Sequence, residues 1–388
     1  MITQTRLCGI LRHSTFALVL LIGGAHAAPN FETSAPRAIL IDYDTGTVLF
    51  EKDADQSVPP ASLAKLMTIE VVFRELKQGR RHLDDEFAVS ENAWRRGGAS
   101  SGGSSMFLPL HARVKLGDLI QGIIIQSGND ACIVVAEALA GSEAGFAEVL
   151  NRRAKEIGLL HSRFADSSGL PDPEERVTMR DLATLAAHLI REYPDYYHYF
   201  SQQEFTFNKI KQGNRNPLLT MGIGADGLKT GHTAEAGYGL VGSAARNGER
   251  LIVAMNGMKS AKERAEEGRK LLEWGFRAFE PKSLFEAGQT VEEAEVYGGA
   301  EDKVAVVPQS GVRLLVPRGG GKDLHSRTTY SGPIQAPVTQ GQRLGTLQVM
   351  DGDTVVLEKP LYAGKAIDRG SLILRAWQAT RNLIRSHI

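Results

Sequence analysis

Residues 59–65 read Pro-Pro-Ala-Ser-Leu-Ala-Lys, and this stretch leaves the backbone few options. Each proline restricts the residue before it, and Pro60 has no N–H to donate, so the segment cannot be helical throughout. From Leu63 to Lys77 apolar residues recur at helical spacing (Leu63, Leu66, Met67, Val71, Leu76), which predicts a helix. Ser62 then lies in the first turn, where unpaired N–H groups and the positive end of the helix dipole favour an anion on or near its oxygen. Lys65, three residues on, shares its face and comes within reach of the Ser62 hydroxyl. A lysine whose pKa falls through burial or a nearby cation can serve as the base that a serine nucleophile needs. Taken alone, the pattern is more often a helix cap beside a solvated lysine.

At 388 residues the chain is long enough for two domains or one large one. Lys plus Arg and Asp plus Glu number 45 each, so no global field points to nucleic acid. Residues 1–27 have the pattern of a secretory signal: Arg6 and Arg12, an apolar run from Phe16 to Ile22, then Ala25-His26-Ala27 as a cleavage site. The alternative is an uncleaved anchor, although the run is too short to span a bilayer. Cleavage removes two of the 45 basic side chains and no acidic one, for a net charge of about −2. It also removes Cys8, leaving Cys132 without a disulfide partner.

Ala38–Tyr43 and Thr47–Glu51 read as strands joined at Asp44-Thr45-Gly46. The Gly/Ser-rich stretch Gly97–Ser105 predicts a mobile loop. Helices are expected over Val114–Gln126, Ala131–Leu139, Ala144–Ile157, Met179–Glu192 and Ala261–Phe279, with a turn-rich connection at Asp166–Pro173. A short strand falls at Phe205–Phe207, and strands at Gly239–Ala245 and Arg250–Asn256 turn at Arg246–Glu249. Strands at both ends of a helical block predict an α+β domain over 31–279, an antiparallel sheet with helices packed against it. Residues 280–368 change to short alternating runs (Val304–Val307, Arg313–Val316, Arg343–Met350, Thr354–Lys359) between Gly/Pro/Asp turns, the texture of a small all-β domain. Residues 369–388 place Ile373, Ala376, Trp377, Leu383, Ile384 and Ile388 on one helical face, with Arg375 and Arg385 away from it. That is the pattern of an amphipathic helix lying on an anionic membrane; docking on the β domain is the other reading.

Three short motifs follow one another: Ser62-x-x-Lys65, Ser127-Gly-Asn129 and Lys229-Thr230-Gly231, separated by 65 and 102 residues. Each is weak alone; S-x-N recurs at Ser90-Glu-Asn92. Their order and contexts, a helix start, a helix-ending loop and a strand end, carry the signal. In these motifs, and in Ser62–Thr68, Gln126–Cys132, Glu204–Phe207, Lys229–Thr233, the export signal, the β-rich region and the tail, the chain resembles the penicillin-recognising serine acyl-transferases. Within them it is most similar to the D-alanyl-D-alanine carboxypeptidases, the low-molecular-mass penicillin-binding proteins.

The resemblance implies a β-lactamase/transpeptidase-like catalytic domain and a Ser62 acyl-enzyme formed from the peptide bond of a stem ending in D-Ala-D-Ala. Lys65 would take the Ser62 proton, with its pKa depressed by the Lys229 cation, and Ser127 would relay a proton to the leaving nitrogen. Asn129 would hold the substrate amide, and Gly231-His232 would lie alongside extended substrate. The oxyanion would sit between the N–H groups of Ser62 and His232. Lys229, Thr230 and Arg215 are candidates for the terminal carboxylate, with a solvated loop arginine the alternative for Arg215. The partners implied are peptidoglycan stem peptides, β-lactam antibiotics and, through the tail, the periplasmic face of the cytoplasmic membrane. The motifs supply no metal cluster, and the reaction needs no cofactor. Cys132 reads as a small buried hydrophobe whose place beside the Ser127 loop raises the idea of sensitivity to thiol reagents. β-Lactamase or D,D-endopeptidase activity on the same site, and a non-catalytic cell-wall-binding protein, are the competing readings.

Overall fold

The computed structural model describes residues 30–321, 323–373 and 375. The export signal at 1–27 and nearly all of the tail helix after 375 lie outside the described residues. Among the described residues no helix is long and apolar enough to cross a membrane.

The chain opens with the expected hairpin, β1 (Arg37–Asp42) and β2 (Val48–Lys52). Asp42 closes its turn by accepting from the Thr45 N–H and hydroxyl, while Gly46 supplies a positive φ of 75°. A 3-10 turn at Ala61–Ala64 runs directly into α1 (Lys65–Lys77), so the regular helix begins two residues later than its apolar spacing implies. Next come β3 (Glu86–Ala88) and β4 (Arg113–Lys115), a two-stranded ribbon. Val114 is therefore in a strand, not in the helix expected over Val114–Gln126. That helix is α2 (Leu116–Gln121), and its last turn widens into a π-turn at Gly122–Gln126. Helices α3 (Asn129–Ala140), α4 (Glu143–Glu156), α5 (Met179–Glu192) and α6 (Pro194–Tyr197) complete a helical cluster.

A second ribbon, β5 (Glu204–Phe207) and β6 (Ile210–Gly213), leads to three long strands, β7 (Ala225–Thr233), β8 (Gly237–Arg246) and β9 (Glu249–Met258). Asn247 and Gly248, both at positive φ, make the tight turn between the last two. The sheet is antiparallel in the order β2-β1-β9-β8-β7, so β7 forms an edge. Side chains alternate across it: Ile39, Ile41, Val241 and Ile252 face the helical cluster. Leu40, Leu240, Leu251 and Val253 face α7 (Ala261–Ala278) through Leu271, Leu272 and Trp274. With both faces covered, the central strands read as unbroken apolar runs.

No linker separates α7 from β10 (Phe279–Phe285), which pairs with β13 (Val312–Pro317). Phe279 stacks edge-on against Trp274, and Leu315 joins the same core cluster. The remaining strands, β11 (Glu292–Tyr297), β12 (Lys303–Val307), β14 (Leu324–Tyr330), β15 (Ile334–Gln335), β16 (Arg343–Asp351) and β17 (Thr354–Ala363), form one sheet ordered β14-β16-β17-β12-β11-β15. Its core is the apolar cluster of Val304, Val306, Leu347, Val349 and Leu361. Sequence reading missed β10, β11 and β14 because Pro281, the acidic run Glu292-Glu293 and the polar His325–Thr329 hide the alternation. A helical turn begins at Leu372, where Leu372 and Ile373 are exposed.

Candidate active site

The first hydroxyl is presented by a strained turn. Ala61 takes a left-handed backbone (φ 50°), which side-chain-bearing residues adopt only at a cost. No side chain caps this helix start, so the Ser62 hydroxyl is not spent on the backbone as a cap would be. Lys65, fully buried, donates from Nζ to Ser62 Oγ at 2.9 Å, to Asn129 Oδ1 at 2.8 Å and to the Ser168 carbonyl at 2.5 Å. Those three acceptors match the three donors of an ammonium, so giving up one proton requires one contact to reverse its sense.

The second hydroxyl is placed in a similar way. Ser127, also left-handed (φ 65°), ends the π-turn. Lys229, buried on β7, donates from Nζ to Ser127 Oγ at 2.9 Å and to the Thr230 carbonyl at 3.0 Å. Beneath this loop the Asp130 carboxylate accepts from Ser105 Oγ, Met106 N and Leu108 N at 2.7–3.1 Å. Gly97 meets the same loop so closely that a Cβ there would lie 2.3 Å from the Asp130 nitrogen. Both ends of the Gly97–Ser105 stretch, expected to be mobile, are therefore pinned.

A cavity of about 460 Å³ brings seven of the nine candidate residues together: Ser62, Ser127, Asn129, Arg215, Thr230, Gly231 and His232 line it. Lys65 and Lys229 stand behind the two serines. Glycine at 231 lets the strand lie close to the Ser62 turn: a Cβ there would sit 3.1 Å from both Leu63 N and the Pro60 carbonyl, a tight contact. Arg215 reaches across to Ser104 Oγ at 2.5 Å. The His232 ring stacks on Tyr238 with centroids 3.9 Å apart. Burial pushes both lysines below the ordinary range. At Lys65 burial is the larger cause, aided by Arg215, whereas the sequence reading assigned the effect to Lys229. Lys229 is depressed by burial first and by the Lys65 cation second.

A family profile described as D-alanyl-D-alanine carboxypeptidase matches residues 24–259, more than half of the chain. The chain belongs to that family. A second profile, described as Penicillin-binding protein 5, C-terminal domain, matches residues 279–369. The chain is 40% identical over 353 residues to D-alanyl-D-alanine carboxypeptidase DacC of Escherichia coli, covering 90% of this chain and 88% of the relative. To D-alanyl-D-alanine carboxypeptidase DacA of Haemophilus influenzae it is 39% identical, over 84% of this chain and 83% of the relative. Among solved structures, penicillin binding protein 5 from Haemophilus influenzae superposes with a TM-score of 0.80 at 37% identity, covering 88% of this chain and all of that one. The D-alanyl-D-alanine carboxypeptidase DacD from Francisella tularensis gives 0.70 at 30% identity, over 88% and 96%.

Within the candidate site of this carboxypeptidase-family chain, the segment read only as a connecting turn proves to be a wall. Asp166 Oδ1 accepts from Ser168 N, Ser168 Oγ and Gly169 N at 2.5–2.9 Å, and this turn aims the Ser168 carbonyl at Lys65. Thr68 of α1 ties the same turn through the Ser167 carbonyl at 2.6 Å. Gly169, at φ 77°, is indispensable in this packing: a Cβ would meet the Ala61 carbonyl at 1.9 Å. Leu170 and Pro171 then line the cavity. The Asp-Ser-Ser-Gly run signals the turn, but nothing in it signals that the turn meets the catalytic helix. Cys132 is fully buried and its thiol is pushed up to about 12 by burial, which favours the buried-hydrophobe reading over thiol reactivity.

Proposed function

We propose that the protein is an exported serine-type D-Ala-D-Ala carboxypeptidase that removes the terminal D-alanine of peptidoglycan stem peptides through a Ser62 acyl-enzyme. The observation that carries this reading is the 2.9 Å contact between Ser62 Oγ and a fully buried Lys65 amine. Burial favours the neutral amine, which accepts the Ser62 proton as Oγ bonds to the carbonyl carbon of the penultimate D-alanine. The N–H groups of Ser62 and His232 stabilise the oxyanion, at about 3 kcal/mol for each donor. As the peptide C–N bond breaks, Ser127, bonded to Lys229, passes a proton to the departing nitrogen. Asn129, its carbonyl oxygen engaged by Lys65, offers its amide group to the substrate. The edge strand β7 receives the extended stem as an added strand, and Arg215 with Thr230 and Lys229 takes the terminal carboxylate. Water then hydrolyses the ester.

A β-lactam ring opens by the same attack and leaves a long-lived ester on Ser62. Among the described residues none lining the cavity carries a carboxylate, so no glutamate stands there to activate water in the manner of a class A β-lactamase. In this reading residues 1–27 direct export and 31–279 carry the chemistry. Residues 280–368 form the β domain, and 369–388 hold the enzyme on the outer face of the cytoplasmic membrane; exposed Leu372 and Ile373 support that role for the tail. Protein lacking residues 1–27 should release D-alanine from a diacyl-Lys-D-Ala-D-Ala peptide. Ser62→Ala should abolish both that release and covalent labelling by penicillin; undiminished release would refute the mechanism.

A further inference from the structure

The turn that receives Lys65 is surrounded by carboxyl groups to which the acylation chemistry gives no part. Glu143 of α4 accepts the Ser167 hydroxyl at 2.7 Å, and Asp166 holds the Ser168 and Gly169 N–H groups. Glu175 is different. It is 1% exposed, and neither carboxyl oxygen has a hydrogen-bond partner among the described residues.

A second buried glutamate shows what is unusual here. Glu70 is equally buried, but Arg153, His188 and Tyr193 reach its Oε1 at 2.8, 3.1 and 2.8 Å, and these donors hold it ionised. Glu175 has no such donors. An unpaired buried carboxylate costs several kcal/mol, and the cheaper state carries a proton. The charged groups near enough to act on it are Asp166 and Asp172 from its own segment, Lys65 from α1 and Glu143 from α4. Burial first and the Asp166 charge second push Glu175 up to about 9, against the opposing pull of Lys65.

We propose that Glu175 is a positioning residue for acylation: kept neutral, it limits the negative charge behind Lys65 and leaves that amine able to accept the Ser62 proton. The inference rests on Lys65 acting as the base. In the step concerned, the proton passes from Ser62 Oγ to Lys65 Nζ, the Oγ–C bond forms, and the C–N bond of peptide or lactam breaks with a proton delivered to nitrogen. Ionising Glu175 adds its negative charge to that of Asp166 in acting on the Lys65 amine and favours the ammonium, so acylation slows.

The test is the second-order rate constant for labelling by a fluorescent penicillin, measured from about pH 6 to about pH 10. The parent enzyme should lose rate above about pH 9, whereas Glu175→Gln, isosteric and permanently neutral, should match it within about twofold at pH 7 and then hold a plateau. Superimposable profiles overturn the proposal. So does a fall of about tenfold or more at pH 7 in a Glu175→Gln protein of unchanged Tm, because neutrality would then not be what the site requires. Should Glu175→Gln fail to fold, Glu175→Met, neutral and similar in length, decides by the same criteria. Failure of both to fold makes the carboxyl a structural requirement and equally overturns the proposal. Failure of the underlying reading is distinguished separately, by labelling that survives Ser62→Ala.

Discussion

The two parts of the chain fill their interiors differently. Among the described residues, every buried polar or charged side chain lies between Asp42 and Glu267; the β domain buries none. Its core is Val, Leu, Ile and Ala, drawn from strands that keep their polar residues outside. The catalytic part encloses two lysines, several carboxyl groups and a set of serines, many within reach of one cavity. Burying such groups is expensive unless each finds a partner. Stability alone does not call for them, and their confinement to one part marks where the chain does chemistry.

The contrast can be broken by substitution. Lys65→Met should lower the penicillin acylation rate by about 10²–10⁴-fold, the usual value of a general base, without unfolding the chain. A change of less than about tenfold would remove Lys65 from the chemistry and leave its burial unexplained. Leu347→Ala, in the β-domain core, should cost about 2–5 kcal/mol of stability by chemical denaturation yet leave the acylation rate unchanged. If acylation fell in step with stability, the two parts would not be separable in this way.

A pH titration sharpens the same point. Glu175 releases its proton at about 9 in the folded chain against an ordinary value of 4.5, so between these limits the folded chain binds more protons than the unfolded one. The stability this group contributes is complete below about 4.5 and is lost as the pH rises through about 9. Glu175→Gln, which does not titrate, should therefore gain Tm relative to the parent between about pH 5 and about pH 9.5, and an unchanged difference would mean that Glu175 is already ionised. The smallest effect belongs to the β-domain surface: Lys303→Ala breaks an exposed 3.1 Å pair with Glu293 and should leave the midpoint of chemical denaturation unchanged, since solvent screens such a pair.

What the sequence discloses follows the range of the forces involved. Elements set by local periodicity are legible: α5 spans Met179–Glu192 as its spacing predicts, and the hairpin turns at Asp44–Gly46 and Asn247-Gly248 follow from their residues. The three motifs point to the candidate groups that the fold gathers at one cavity, because Ser62-x-x-Lys65 is itself local and the other two mark a loop and a strand. Contacts made across the fold are not legible. The Ser168 carbonyl on Lys65 spans 103 residues, and Asp130 holds Ser105 across 25. The left-handed backbones of Ala61 and Ser127 likewise have no glycine to announce them. Packing, not propensity, imposes those conformations.

The depth order of the site, with hydroxyls in front and amines behind, has a consequence for turnover. With Lys65 and Lys229 buried behind the hydroxyls, the open side of the cavity serves both the entering substrate and the water that approaches the ester carbon. A departing amino acid vacates that opening. A ring-opened lactam does not, since its nitrogen stays tethered to the acyl group. Occupancy of that opening thus becomes the clock for regeneration, and two compounds that acylate equally fast separate into fuel and poison by whether the leaving fragment can walk away.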